Sequence, residues 1–134
     1  MLLSLQGSFP SAILALAAVA FGAARVDAVD IDDDALVVAR ENVALNGRAD
    51  RIEVGRPERL PAAGADVLVA NILMEPLLVL APRFHELLVP GGRIALSGLL
   101  VAQVERVLEA YRGGFTMDAP VTRGDWALLG GTRR

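Results

Sequence analysis

The first residue whose type and place could do chemistry is Asp30, in the run VDAVDIDDDAL. It follows the apolar Val29, where a buried strand gives way to a loop. An ionised carboxylate at the end of the second strand of an α/β sheet can accept hydrogen bonds from both hydroxyls of a ribose. The competing reading is a helix N-cap or a solvated loop acid. Asp32, Asp33 and Asp34 follow at once and suit capping and the helix dipole, which leaves Asp30 free for a ligand. The same run is as acidic as a calcium loop but lacks that loop's glycine and later glutamate.

Asn71 is the second candidate. VLVANIL puts a carboxamide at the end of an apolar strand, with a donor and an acceptor to aim at a ligand or a substrate amine. The alternative is an asparagine that bonds neighbouring backbone and starts the turn. Ser97 and Gly98 end another strand. A nucleophilic serine needs a base beside it, and the sole histidine, His85, lies on the preceding helix, which argues against a hydrolase. Gly98 reads as relief of crowding, His85 as a half-exposed helix residue and Trp126 as hairpin packing.

These residues sit in a chain of 134 residues, enough for one domain with one sizeable core. Ala, Val and Leu dominate and aromatics are scarce, as in a tightly layered α/β domain. The net charge of −3 and the absence of a basic cluster disfavour direct nucleic-acid binding. With no cysteine and one histidine, thiolate metal sites are excluded and zinc is disfavoured. No side chain before Arg25 is charged. A signal peptide wants a basic start, and the apolar part from Ala12 falls short of the roughly 20 residues of a span. A buried strand and a buried helix account for it, with no membrane segment.

Short apolar runs alternate with helical patterns. LLSL reads as a strand, and Ser11 can cap a helix over about 12–22 that Gly22 ends. RVDAVDI is a second strand. Asp32 or Asp33 caps a helix with Leu36, Ala39 and Val43 on one face, stopping at Asn46-Gly47. RIEV and ADVLVANI are strands, the latter apolar throughout, as in a parallel sheet buried on both faces. Pro76 suits the first turn of a helix carrying Leu77, Leu80, Phe84 and Leu87, ended by VPGG. RIALSG is a fifth strand. Val104, Val107, Leu108 and Tyr111 form a helical stripe. FTMDAPV and DWALLGG flank a turn at Arg123-Gly124 and read as a terminal hairpin. This alternation predicts a doubly wound, Rossmann-like α/β fold in one domain over 1–134. Its sheet is mostly parallel, with an antiparallel hairpin at the carboxyl terminus. Ligands in such sheets bind beyond the carboxyl ends of the strands, at the switch point beside the first.

VDAVDIDDDALVVARENVALNG, DRIEV, ADVLVANIL, PGGRIALSG and GDWALLG together resemble the bacterial ribosomal-protein lysine methyltransferases of the PrmA type. The resemblance covers nearly the whole chain. VANIL with the proline and leucine that follow is its most specific part. It implies a class I methyltransferase domain using S-adenosyl-L-methionine, with Asp30 on the ribose hydroxyls, Ile31 against the adenine and Asn71 lining the methyl-donor site. It puts Ser8, at the first glycine position of the cofactor turn, beside the cofactor, and Arg56–Glu58 on the pocket's rim. It implies a cytoplasmic enzyme whose acceptor is an amine of a large-subunit ribosomal protein. Methyl transfer would be an in-line displacement that the enzyme promotes by alignment and desolvation, without a metal or covalent intermediate.

Two departures from the family pattern are visible. The family turn after the first strand reads Asp-x-Gly-x-Gly-x-Gly-Ile-Leu. Anchored on Ile13-Leu14, this chain has Gln6, Ser8, Pro10 and Ala12 at the acid and glycine positions. Pro10 removes an N–H and fixes φ, and Ala12 adds a methyl group at the helix start. The chain also begins at the first strand, which predicts that the family's amino-terminal recognition domain is absent and that one sheet face lacks part of its cover. Two alternatives to the methyltransferase therefore stand: a fold-retaining fragment that no longer binds cofactor effectively, and a dinucleotide-dependent oxidoreductase.

Overall fold

The computed structural model describes residues 2–6, 13–30, 32–56, 58, 60 and 63–134. The turn over 7–12, with Ser8 and the proposed cap Ser11, lies outside these, as does Ile31.

Strand β1 (Leu2–Gln6) leads to helix α1 (Ile13–Ala20), which closes at Gly22 with φ 107°. Strand β2 (Val26–Val29) leads to α2 (Asp33–Leu45). Asp32 is the N-cap of α2: its carboxylate accepts the Asp34 N–H at 3.0 Å. Ala35, Leu36, Ala39 and Val43 form its buried face. Strands β3 (Ile52–Gly55) and β4 (Ala65–Asn71) precede α3 (Met74–Leu87). Pro76 falls in the first turn of α3, where its missing N–H would have had no helical partner. Then come β5 (Leu88–Leu100), a 3₁₀ turn at Val101–Gln103, α4 (Val104–Tyr111), β6 (Phe115–Met117), β7 (Val121–Arg123) and β8 (Trp126–Arg133).

The sheet order is β3-β2-β1-β4-β5-β8-β6, with β7 also paired to β8. Strands β1 to β5 are parallel, and β6, β7 and β8 are joined antiparallel. The order therefore reverses between β1 and β4, as doubly wound sheets require. Helices α1 and α2 pack on one face through Val19, Val26, Ala28 and Leu36. Helices α3 and α4 pack on the other through Phe84, Leu96, Tyr111, Phe115 and Leu129. On the α1 side of β4 and β5, Val67, Val69 and Ala95 are only half-buried, and Leu128 of β8 is 44% exposed.

Two sequence expectations need correction. Helix α3 ends at Leu87, just before VPGG, but the fifth strand is longer than RIALSG: β5 already starts at Leu88 and takes in Gly91 at φ 79° and a register shift opposite Ala65–Val67. FTMDAPV is not one strand. It breaks into β6 and β7 around Pro120, which has no N–H: the pairing with β8 slips by one residue between Met117–Gly131 and Val121–Leu128, while Asp118 N–H still bonds Gly130 O at 2.9 Å and its carboxylate pairs with Arg93 at 2.6 Å.

Candidate functional site

Parallel register aligns the carboxyl ends of the central strands. Leu5 pairs with both Val29 and Ala70, Gln6 with Asn71, and Asn71 with Ser97. Asp30, one residue beyond Val29, therefore ends the same row of chain positions as Gln6, Asn71 and Ser97. Asp30 and Asn71 stand two strand spacings apart, roughly 10 Å.

Asp30 is half-buried. Its N–H donates to Gly55 O at 3.2 Å, which fastens the strand end to β3. Its Oδ1 accepts the Asp32 N–H at 3.0 Å. The expectation that the following acids leave Asp30 wholly free is thus too simple. Asp32 caps the helix, and Asp30 steadies the turn before it with one oxygen. A carboxylate has about four acceptor sites, and among the described residues Oδ2 has no partner. Backbone holds the group in place and one edge stays open.

The other acids of this run are spent differently. Asp33 accepts from Arg56 Nη1 at 2.8 Å, and Arg56 Nε lies 3.4 Å from Glu58. The hydrogen bond to Asp33, its charge and that of Glu58 raise the Arg56 pKa above the usual arginine value. These pairs tie the segment after β3, at Arg56 and Glu58, to the start of α2.

Asn71 is half-buried at the end of β4. Its Oδ1 lies where a Cβ on Gly98 would approach to 2.7 Å, and Gly98 has φ 82°. Glycine is needed there on both counts: a side chain would strain the backbone and push the carboxamide aside. Gly98 relieves crowding as its place in the sequence predicts, and what it makes room for is Asn71. Ser97 stands beside Asn71. His85 is elsewhere: its ring meets Phe115 edge-on at 5.7 Å, and its Nε2 accepts from Arg133 Nε at 3.4 Å. Among the described residues no serine pairs with it.

Asn71, Ser97 and Gly98 open onto a cleft of about 600 Å³. Leu73 lines another side, and β7 and β8 close it with Val121, Arg123, Trp126 and Leu128. Trp126 is 59% exposed in this cleft, so its reading as hairpin packing is wrong. Alternation along β8 explains the error: Ala127 and Leu129 take the buried face, leaving Trp126 and Leu128 outside. The contribution of β7 had no sequence signal beyond the turn at Gly124.

Residues 8–134 match the family model for ribosomal protein L11 methyltransferase (PrmA). The chain belongs to this family. It is 49% identical over 124 residues to the ribosomal protein L11 methyltransferase of Alkalilimnicola ehrlichii, covering 92% of this chain and 42% of that protein. The Halorhodospira halophila protein of the same name is 47% identical, again over 92% of this chain and 42% of its own length. The chain thus spans well under half the length of these L11 methyltransferases. A crystal structure of the ribosomal protein L11 methylase from Lactobacillus delbrueckii subsp. bulgaricus superposes with a TM-score of 0.88 at 33% identity, covering 99% of this chain and 69% of that one. An RNA methyltransferase from Salinibacter ruber, solved with S-adenosyl-L-homocysteine, shares the fold at TM-score 0.73 and 24% identity, over 98% of this chain and 80% of that one. The family resemblance and the doubly wound class I methyltransferase fold are borne out. Membership of the L11 methyltransferase family sets aside the dinucleotide-oxidoreductase alternative.

Proposed function

We propose that this chain is the S-adenosyl-L-methionine-dependent catalytic unit of an enzyme that methylates amines of ribosomal protein L11. The observation that carries the proposal is the row at the carboxyl edge of the sheet. Asp30 and Asn71 flank the point where strand order reverses, and Asn71 opens onto the cleft. The names of the relatives and the homocysteine form of the cofactor in the Salinibacter ruber protein support it.

The residues present fit that cofactor. Asp30 offers one open carboxylate oxygen, held by backbone bonds, to the ribose hydroxyls. Bound, the cofactor supplies a methyl group activated on a sulfonium. Asn71, kept in place by the lack of a side chain at Gly98, can accept from an amine N–H and position the neutral nitrogen. Ser8 and Ile31 complete the proposed contact set beside the turn and the adenine. The apolar side chains of Leu73, Val121 and Leu128 would shed water from the amine once the acceptor fills the cleft. A ribosomal-protein acceptor supports a cytoplasmic site of action. The net charge of −3 supports a protein rather than a nucleic acid as direct partner. Among the described residues no helix is long and apolar enough to cross a membrane.

Calorimetric titration with S-adenosylmethionine and S-adenosylhomocysteine tests the proposal. Micromolar binding is expected. Asp30→Ala should weaken it about 10- to 100-fold, the size of a lost charge-assisted hydrogen bond. The second reading, a fold kept without effective cofactor binding, is favoured by Ser8, Pro10 and Ala12 at the glycine positions. Folded protein that gives no heat at millimolar ligand decides for it. Restoring glycine at those three positions should then recover binding.

A further inference from the structure

Ser97 lines the cleft beside Asn71, and the proposed function leaves it without a task. Its two neighbouring strands treat it differently. Towards β4 the parallel register runs unbroken through Val69–Ala95, Ala70–Leu96 and Asn71–Ser97. Towards β8 the register breaks: Leu96 pairs with Leu129 and Leu99 with Ala127, so Ser97 and Gly98 together face Leu128. Gly98, at φ 82°, supplies the kink of this bulge. Bulges bend a strand locally, re-aim its side chains and gather beside active sites. Alternation puts Asn71 and Ser97 on one face: Leu68, Ala70, Ile94 and Leu96 take the buried side, and the two polar residues are half-buried on the other. Among the described residues neither side chain makes a hydrogen bond. Their polar atoms are left to water or to a ligand.

We infer that the Ser97 hydroxyl is a second acceptor for the amine, next to the Asn71 carboxamide. The inference rests on the cleft being the acceptor side of a methyltransferase. Paired residues on adjacent strands stand about 4.8 Å apart. A primary amine that donates both its N–H groups at about 2.9 Å spans much the same distance between its two acceptors. Held at both hydrogens, the nitrogen has one direction left for its lone pair. That lone pair forms the new C–N bond while the C–S bond breaks with its electrons going to sulfur. The nitrogen gains positive charge in the step, and a proton leaves it to water afterwards. Both hydrogen bonds therefore tighten towards the transition state, which puts their effect on turnover rather than on acceptor binding.

Methyl-tritiated S-adenosylmethionine and purified ribosomal protein L11 test this, with the full chain and saturating acceptor. S97T and S97V are the decisive pair, because they differ only in a hydroxyl against a methyl group. S97T should turn over roughly tenfold faster than S97V, the strength of one hydrogen bond to a nitrogen gaining charge. The half-saturating L11 concentration and the affinity for S-adenosylhomocysteine should agree between the two within about twofold. Equal turnover of the pair overturns the inference. So does a difference carried by acceptor affinity, cofactor affinity or melting temperature. In each of those cases wild-type turnover still upholds the proposed function. Wild type that transfers no label overturns both.

Discussion

On one side of β1, strands β2 and β3 rest on α1 and α2 through valine, alanine, leucine and isoleucine side chains. On the other side, β4, β5 and β8 rest on α3 and α4 through Phe84, Tyr111 and Phe115 as well as leucines. Among the described residues the first layer is the thinner one and has aliphatic side chains only. The second is thick, and its largest members are almost fully enclosed. The proposed site straddles the two: Asp30 belongs to the thin half and Asn71 to the thick one. The ribose end of the site therefore stands on the more easily opened part of the fold, while the acceptor end stands on the more rigid part.

Truncating the core of each half is the most direct way to break this contrast. Phe115→Ala should cost about 3–5 kcal/mol, and Leu36→Ala about 2–3 kcal/mol because its small neighbours can close in. Denaturant melts of both variants check this, and equal losses would abolish the distinction. Next comes the joint between Gly98 and Asn71. Gly98→Ala should cost about 1–3 kcal/mol through its positive φ and displace the Asn71 carboxamide. Cofactor titration of this variant should show the ribose end still engaged, with methyl transfer falling further than binding.

The smallest effect is expected at Tyr111, whose hydroxyl donates to Leu77 O at 2.8 Å and holds α4 to α3. Tyr111→Phe should cost about 1 kcal/mol at neutral pH. Burial raises the Tyr111 pKa above its ordinary value of 10.0. The folded chain then keeps a proton that the unfolded chain releases, so this contribution is complete below pH 10 and shrinks as pH rises beyond it. Melts of wild type and Tyr111→Phe between pH 9 and 11 should show the steeper alkaline loss in wild type, with hydrogen exchange placing it in the thick half.

Much of this architecture is legible in the residues themselves. The alternation of VDAV, VLVAN and RIAL with helical stripes gives the parallel layers. Asp32 announces the α2 cap, and Asn71 the end of the central strand. Those signals are local, and local physics is what a sequence displays. The remaining features depend on what lies across from what. That Trp126 faces outward depends on β8 burying Ala127 and Leu129. That Asp27 is almost buried on β2, with one oxygen lacking a partner among the described residues, depends on its neighbours across the sheet. That Asp30 gives one oxygen to Asp32 depends on the shape of a turn whose four nearby acids look interchangeable on paper. Residue type selected Asp30 and Asn71, but no local pattern pointed to Arg123.

Strand β8 holds three neighbours at once: β5 along one edge, and β6 and β7 at opposite ends of the other. During synthesis β6 and β7 emerge before the one strand they pair with. Until β8 follows, β5 shows a bare edge carrying Ile94, Leu96 and Leu99, and no local hairpin can cover it. The nascent chain therefore passes through an interval in which the edge of its longest strand is open to other polypeptides. Its yield in a cell should depend on chaperone supply during that interval more than on the stability of the finished fold.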